Sequence, residues 1–446
     1  MLRYFLLSVA FSNAALAAYA FDPLQHLAGI TPYFEPSDQP LDPSPPQGCN
    51  VTRAAYLVRH AAIYANDFDY EEYIEPFVLK LANTSVDWAK AGVLSFLATW
   101  KSPITDAEQE QLTKVGQLEA FTLGVDIGQR YPEFKSPNKI WTSTAERTEK
   151  SARSFIEGSV EDSNKTQLIS VSEGEKEGAD SLTPYESCPA YSSSAGSKQA
   201  EVFQKIYTSP IIERFHALAS TFNFTPDDIV GMQELCGYET VIRGSSPFCS
   251  LSVFTPNEWL GFEYTNDIQY HYNTGYGNPI SGVIGYPWLN ATAGLLASGN
   301  INGSDSQQIY VSFTHRELPP TVLVAMGLFN NSAFSGGNDI NATMPTDTPN
   351  YRRAWKSSHI IPFLTNIAIE RMACDSYGFD VGGYYRVLVN QSPQLLPGCS
   401  DGPGESCSTD GFKKFVSDRG ALFGGFGEKC GTDYGNSTDV LWIYGS

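Results

Sequence analysis

Positive charge is scarce in this chain of 446 residues. It has 29 Lys and Arg against 49 Asp and Glu, which gives a formal net charge of −20. No run rich in Lys or Arg occurs along it. A surface that follows a nucleic-acid backbone needs clustered cations, so the composition disfavours a nucleic-acid-binding protein.

Long apolar runs and metal-type cysteine pairs are also missing. Beyond residue 20 no segment reaches the length of about 18 consecutive apolar residues that a membrane-spanning helix needs. The eight cysteines lack the CxxC spacing of a zinc site. We therefore expect a soluble mature protein with no metal, no cofactor and no membrane partner. Its oligomeric state is not indicated.

Hydrophobic residues make up 42% of the chain and aromatic residues 13%, enough for a sizeable core. The length favours two or three domains, or one large domain that carries an insertion. Residues 1–20 read MLRYFLLSVAFSNAALAAYA, with Arg3 before an apolar stretch and small residues at A-x-A spacing near the end. This pattern predicts a signal peptide and a secreted, extracellular protein, the alternative being a buried N-terminal helix.

Secretion has two consequences for the rest of the chain. The even number of cysteines then indicates disulfides rather than a redox or metal centre. N-glycans are also expected, because N-x-S/T sequons are more frequent than chance would give. They begin at Asn50, Asn83, Asn164, Asn223, Asn290, Asn302, Asn330, Asn341, Asn390 and Asn436.

Apolar runs that end at polar clusters predict the fold. The run 54–58 leads into Arg59-His60, and the run 309–313 leads to His315. Capping boxes at Thr105 and Ser143 indicate helix starts. Strand, polar cluster and helix recur, so we predict an α/β sandwich around a mostly parallel central sheet, with a site at the carboxyl ends of its strands.

The domain boundaries follow from changes in this pattern. Residues 21–48 are Pro-rich and predict an extended lead-in. Residues 49–186 and 298–446 are predicted to form the α/β catalytic domain, and residues 187–297 a smaller, mainly helical insertion.

Cations and histidines mark the candidate site, at Arg59-His60, at Arg147 and at His315-Arg316-Glu317. Phosphoryl transfer needs an imidazole nucleophile, guanidinium groups for the phosphate oxygens and an acid for the leaving alkoxide. Taken singly, each cluster is also compatible with a surface or capping pair.

The motifs of the chain resemble those of the histidine acid phosphatases, and of the fungal phytases among them. Arg59-His60 begins the segment RHAAIYA, which matches the RHGxRxP signature of that family only at these two residues. Further matching segments are 235–240 (LCGYET), 246–249 (SPFC), 258–259 (EW), 276–279 (YGNP) and 385–390 (YRVLVN). The resemblance extends from about residue 49 to 430 and implies a phosphoglycerate mutase-like fold.

The resemblance implies a role for each candidate residue. His60 attacks phosphorus to form a phosphohistidine, while Arg59, Arg147 and His315 hold the phosphate. Most fungal phytases place an Asp proton donor directly after the second histidine, where this chain has Arg316. The triplet His315-Arg316-Glu317 is instead similar to the His-Ala-Glu form of multiple inositol polyphosphate phosphatases, so Glu317 is the candidate acid. Nearby guanidinium groups would keep the imidazole neutral in acid, because positive charge lowers its pKa.

The main departure from the family pattern is Ile63, where its members have a second Arg. Loss of that contact costs about 2–5 kcal/mol of phosphate binding if nothing replaces it. Asn66 is one candidate replacement, because related phosphoglycerate mutases place an Asn at this spacing. Asn66 is equally compatible with a turn before Asp67. Arg316 is the other candidate.

The resemblance also implies the disulfide pairing, which is Cys49–Cys374, Cys188–Cys430, Cys236–Cys249 and Cys399–Cys407. Two functions follow from the sequence. The first is a secreted acid phosphatase that hydrolyses small-molecule phosphomonoesters, phytate among the candidates. The second is a catalytically weakened relative that binds a phosphorylated ligand without efficient turnover.

Overall fold

A central sheet positions every candidate site residue. The computed structural model describes residues 21–36, 41–298, 307–332, 334, 342–432 and 438–445. In these ranges the strands are β1 (Cys49–Arg59), β2 (Lys139–Ser143), β3 (Gln167–Val171), β4 (Ile309–Thr314), β5 (Asn366–Cys374), β6 (Gly382–Val389), β7 (Ser392–Gln394) and β8 (Cys407–Ser408). Their order is β3-β2-β4-β1-β5-β6-β7, and β8 pairs with β6.

The α/β fold class is confirmed, and the sheet is mixed. The pairings β2/β3, β2/β4 and β1/β4 are parallel, whereas β5, β6, β7 and β8 add antiparallel pairings. Parallel neighbours need long crossover connections, but β5, β6 and β7 follow one another through short turns that only antiparallel strands allow. The parallel pairings are thus confined to the four strands that carry the candidate site or border it.

Helices lie around this sheet. They are α1 (Asp67–Asp69), α2 (Glu75–Ala82), α3 (Lys114–Arg130), α4 (Glu146–Ser159), α5 (Ser197–Leu218), α6 (Pro226–Arg243), α7 (Pro256–Asn273), α8 (Ser281–Ala297), α9 (Leu318–Met326), α10 (Ser357–Ile360), α11 (Thr409–Phe423) and α12 (Phe426–Cys430). A π-helical turn, Tyr70–Ile74, joins α1 to α2.

Helices α3 and α4 pack against each other at two glycines. A Cβ atom on Gly124 would lie 2.3 Å from the carbonyl oxygen of Phe155, and one on Gly158 would lie 2.0 Å from that of Phe121. Such distances are far below van der Waals contact, so only glycine permits this approach. Gly158 therefore sets the distance between α3 and α4 as well as lying at the end of α4.

Both predicted capping boxes needed correction. Thr105 and Glu108 do form one, but it caps the short 3-10 helix Asp106–Glu108, and Thr113 caps α3. Ser143 does not cap α4, because its hydroxyl donates to Oγ1 of Thr148. Thr148 lies in the first turn of α4, and Oγ of Ser143 also lies 3.2 Å from Nε2 of His315, so the Ser143 side chain links the start of this helix to the site.

Part of the segment predicted as an extended lead-in, within residues 21–36, is instead folded onto the core. It forms the 3-10 helices Pro23–Gln25 and Ala28–Ile30, and the second is buried. The backbone N–H of Ala28 donates to Oγ of Ser358 at 2.8 Å. Burial of Leu27 and Ile30 in the main apolar cluster explains why a Pro-rich stretch is ordered here.

Helices α5 to α8 occupy the region predicted as an insertion. Helix α8 also packs on the sheet, since its Ile284 and Trp288 belong to the same buried cluster as Leu57 of β1. The division of the chain at residues 187 and 297 stays a prediction.

Four disulfides form, with the pairing that the resemblance implies. They join Cys49 to Cys374, Cys188 to Cys430, Cys236 to Cys249 and Cys399 to Cys407.

The sequons separate into three groups. The side chains of six are exposed, at Asn50, Asn83, Asn164, Asn223, Asn290 and Asn330. Asn302, Asn341 and Asn436 lie outside the described residues, as does the predicted signal peptide 1–20. Asn390 needs correction, because its side chain is 1% exposed and its amide donates to the carbonyl of His359. A glycan cannot be attached at that position in the folded chain.

Within the described ranges, no helix combines the length and the apolar character that crossing a membrane requires.

Candidate active site

The carboxyl ends of β1 and β4 bring the predicted site residues together. Arg59 pairs with Thr314 in the parallel register, so His60 and His315 follow at the same edge of the sheet. Their ring centroids are 5.8 Å apart. They line a cavity of about 190 Å3 with nine others, which are Arg59, Ile63, Asn66, Asp67, Glu110, Arg147, Tyr185, Arg316 and Glu317. All seven predicted catalytic and phosphate-binding residues are among them.

His60 is held in the form that a nucleophile needs. Its Nδ1 lies 2.9 Å from the carbonyl oxygen of Ala61, which can only accept, so Nδ1 carries the proton and Nε2 has the free lone pair. Burial lowers the pKa of His60 well below its usual value, and the charges of Arg59 and Arg147 lower it further. The imidazole therefore stays neutral under acid conditions.

Two separate segments of the chain hold the side chain of Arg59 in place. Its Nη1 donates to the carbonyl oxygens of Gly29 and Ile361, both at 2.5 Å, and its guanidinium lies over the ring of Phe363 at 4.7 Å. Burial lowers the pKa of Arg59 to about 10, so the group remains charged. Its Nε has no partner among the described residues.

Arg147, in the first turn of α4, already holds a carboxylate. Its Nη1 lies 2.5 Å from Oε2 of Glu110, and both side chains are partly exposed. Glu110 adopts a left-handed backbone conformation with φ of 63°, and its N–H donates to the carbonyl of Ala65 at 2.7 Å. Glu110 was not among the predicted site residues, and it lies in the loop between the 3-10 helix Asp106–Glu108 and α3.

His315 is oriented by Glu173 and Ser143, which were not among the predicted site residues. Its Nε2 lies 3.2 Å from Oε1 of Glu173 and 3.2 Å from Oγ of Ser143. A carboxylate can only accept, so Nε2 carries a proton. Burial opposes ionisation of Glu173, but the hydrogen bonds of His315 and Ser143 outweigh it and lower the pKa of Glu173 to about 2.

A sequence pattern existed for both of these residues. Ser143 ends β2, and Glu173 follows the end of β3 by two residues. Both residues thus lie at or just after the carboxyl end of a strand, which is the position that identified His60 and His315.

Glu317 lies at the start of α9, beside Arg316. Nε of Arg316 donates to Oε1 of Glu317 at 2.9 Å. Burial would raise the pKa of Glu317, but the charges of Arg316 and His315 reverse this and lower it. The carboxyl group is therefore protonated only under acid conditions when the cavity holds no anion.

Asn66 fits the turn alternative and not the phosphate contact. Its Oδ1 accepts the N–H of Asp69, and its Nδ2 donates to Oδ2 of Asp69 at 2.6 Å and to the hydroxyl of Tyr238 at 3.0 Å. An amide has two donor hydrogens, and both are used. Ile63 is 2% exposed and forms a β-bridge with Leu112. No cation stands where the family has its second Arg.

Comparison with known proteins decides the family. Residues 50–390 match the model of the histidine phosphatase superfamily, branch 2. The chain belongs to this family.

Among the described residues, no cluster of three or more His, Cys, Asp or Glu is arranged to hold a metal ion.

Relatives of this chain include fungal acid phosphatases and phytases. A thiamine-repressible acid phosphatase of Schizosaccharomyces pombe is 31% identical over 408 residues, covering 87% of this chain and 84% of that protein. A phytase of Candida albicans is 27% identical, with 95% and 90% covered.

A solved structure shows the same fold. The phytase from D. castellii superposes with a TM-score of 0.83 at 24% identity, covering 95% of this chain and 91% of that chain.

Proposed function

We propose that this chain is a secreted acid phosphatase that hydrolyses phosphomonoesters through a phosphohistidine at His60. The observation that carries the proposal is the tautomer of His60. Its Nε2 lone pair faces a cavity in which Arg59, Arg147 and His315 also lie. A neutral imidazole beside two guanidinium groups is suited to attack a bound phosphate.

In the first step, Nε2 of His60 attacks phosphorus and the bond to the ester oxygen breaks. Glu317 donates its proton to the departing alkoxide, which leaves as an alcohol. The N–H groups of Arg59 and Arg147 bind the phosphoryl oxygens, as planar guanidinium forks do. His315 carries a proton on Nε2, so its Nδ1 can donate to a phosphoryl oxygen only in the imidazolium form, and this Nδ1 has no partner among the described residues.

In the second step, water attacks the phosphohistidine. Glu317, now ionised, takes a proton from that water, and the P–N bond breaks to release inorganic phosphate and neutral His60. Binding of the substrate also assists the first step. The phosphate group of the bound ester is an anion beside Glu317, and a nearby anion favours the protonated form of that carboxyl group. Both steps use only side chains of this chain and water.

An acid, extracellular setting agrees with these groups. His60 must be neutral and Glu317 protonated, and the lowered pKa of each moves the working range toward acid. The four disulfides support an oxidising compartment.

The alternative is a relative that binds a phosphorylated ligand without efficient turnover. Two observations favour it, the apolar Ile63 in place of a second Arg and the carboxylate of Glu110 on Arg147. Such a protein would bind phosphate esters but release them unchanged.

One experiment separates the two functions. Hydrolysis of 4-nitrophenyl phosphate is measured at pH 3 to 6 for the wild type and for His60→Ala, and the phosphoenzyme is trapped by rapid quenching into alkaline denaturant, in which the P–N bond is stable. The enzyme predicts turnover and a trapped phosphohistidine, both lost in His60→Ala. Equal hydrolysis rates for the wild type and His60→Ala would refute the proposal. Binding of the ester without turnover would support the alternative.

A further inference from the structure

A second cavity lies beside the catalytic one. It has a volume of about 350 Å3, and Arg316 lines both cavities. The turn that follows Ile63 also borders both, because Asn66 lines the catalytic cavity and Asp69 lines the second. When a phosphate lies against His60, the alcohol part of the ester therefore has this second cavity next to it.

The lining of the second cavity is acidic. It contains five carboxyl groups and two cations, which are Asp69, Glu72, Glu201, Asp227 and Glu234 against Lys198 and Arg316. The charge of Arg316 is partly compensated, since its Nε donates to Glu317. Negative charge therefore predominates where the alcohol part of the substrate would lie.

Aromatic rings line the same cavity, namely Phe68, Tyr73, Tyr207, Phe262 and Tyr270. The face of an aromatic ring carries partial negative charge and attracts cations within about 6 Å. Rings together with carboxylates form the kind of surroundings that bind an ammonium group.

Glu234 is a separate indication of a ligand. Its side chain is 6% exposed, and its Oε2 has no hydrogen-bond partner among the described residues. Burial raises the pKa of Glu234 well above its usual range, and the charge of Asp69 raises it further, so these surroundings favour the neutral form of the carboxyl group. Buried polar groups are nearly always paired, and an unpaired one that lines a cavity indicates a polar ligand.

We propose that the second cavity binds the alcohol part of the substrate and selects monoesters in which that part is cationic or neutral. An ester with a second phosphate or a carboxylate would bring like charge near the carboxylates of Asp69, Glu72, Glu201 and Asp227. The preferred substrate class is thus a single phosphate on an amino-bearing organic group, and inositol hexakisphosphate is a poor substrate. This inference rests on the proposed function of the His60 site.

Three phenyl phosphates with similar leaving groups test the charge preference. They carry aminomethyl, hydroxymethyl and carboxymethyl groups in the para position, and kcat/KM is measured at pH 5 and low ionic strength. We expect kcat/KM for the aminomethyl ester to exceed that for the carboxymethyl ester by about tenfold or more. The carboxylates of the cavity attract the cationic group and repel the anionic one, and charge interactions near a protein surface give a difference of this size. Equal values, or faster turnover of the carboxymethyl ester, would overturn the inference.

A pair of neighbouring carboxylates provides a matched control. Glu72 lines the cavity, and Glu71 lies beside it in the same turn but outside the lining. Glu72→Gln should reduce the preference for the aminomethyl ester several-fold, whereas Glu71→Gln should leave it unchanged. A reduction of the same size in both variants would contradict the assignment to this cavity.

Binding distinguishes a failure of the inference from a failure of the proposed function. Dissociation constants for the three esters are measured on His60→Ala, which cannot form a phosphohistidine. If the wild type hydrolyses none of the esters, the proposed function fails, while ordered dissociation constants still support the acidic cavity. If all three bind equally, the inference fails whatever the turnover.

Discussion

Nη1 of Arg147 lies 2.5 Å from Oε2 of Glu110, inside the cavity that contains His60. The carboxylate of Glu110 is thus paired with one of the guanidinium groups that we propose bind phosphate. Both side chains are partly exposed, and such pairs contribute only about 0–1 kcal/mol, so an incoming phosphate can displace Glu110. In the free protein Glu110 acts as a built-in competitor for Arg147.

Removal of this competing charge should strengthen phosphate binding. Glu110→Gln keeps an oxygen that can accept from Arg147 but carries no charge. We expect the inhibition constant of inorganic phosphate and the KM for esters to fall about two- to fivefold, which corresponds to up to about 1 kcal/mol. Steady-state kinetics at pH 5 measure both. Glu146→Gln is the control, since Glu146 precedes Arg147 and pairs with Lys150. Weaker phosphate binding in Glu110→Gln would mean that Glu110 positions Arg147.

The sequence was sufficient to locate the proposed nucleophile and its neighbours, for a physical reason. Parallel strands place their carboxyl ends at one edge of a sheet, so residues after two apolar runs meet there. His60 and His315 follow this rule, Arg147 and Glu317 were recognised as charged residues in the neighbouring clusters, and the resemblance implied their roles. Glu173 satisfies the same rule after β3, a strand of mixed burial that no apolar run marked.

Other parts of the site depend on contacts that local patterns do not encode. Glu110 pairs with Arg147 from a loop, where its backbone adopts a left-handed conformation. No sequence motif predicts that conformation. Gly29 supplies a carbonyl to Arg59 from a Pro-rich segment that was expected to be extended. The spacing of Asn66 was compatible with a phosphate contact or with a turn, and its hydrogen bonds to Asp69 and Tyr238 favour the turn.

Glu317→Gln should discriminate between leaving groups. An alkoxide must be protonated as it leaves, whereas 4-nitrophenolate leaves without a proton. We expect kcat for an alkyl phosphate to fall by about 10²- to 10⁴-fold and kcat for 4-nitrophenyl phosphate to fall much less. The wild-type rate with the alkyl ester should also decline as pH rises, because Glu317 loses its proton. A comparison of both esters between pH 3 and 7 measures this. Equal losses for the two esters would exclude Glu317 as the proton donor.

Glu173 should make folding stability depend on pH. Its pKa is lowered to about 2 in the folded chain, so its ionised form stabilises the fold above its ordinary value near 4.5. That contribution decreases as pH falls from about 5 toward 2. Glu173→Gln lacks it, so its Tm should lie below that of the wild type at pH 5 and approach it at pH 2.5. Thermal unfolding followed by circular dichroism gives both curves. A constant difference between them would contradict the coupling to His315.

Ile63→Arg should restore the charge that the family places here. Ile63 lines the catalytic cavity, and an Arg at this position puts a guanidinium beside the bound phosphate. A charged hydrogen bond contributes about 1.5–3 kcal/mol, so the KM for esters should fall about tenfold or more. Stability should decrease by about 1–3 kcal/mol, because Ile63 is buried in the main apolar cluster.

The matched control for this substitution is Ile63→Met, which changes the shape of the side chain without adding charge. A gain in phosphate affinity that occurs in Ile63→Arg and not in Ile63→Met comes from the guanidinium. Glu110 limits the gain, since its backbone N–H bonds to Ala65, two residues from the substituted position, and its carboxylate would pair with the new cation. Combining Ile63→Arg with Glu110→Gln should therefore lower KM further than either change alone. If Ile63→Arg binds phosphate no better than Ile63→Met, position 63 does not face the bound anion.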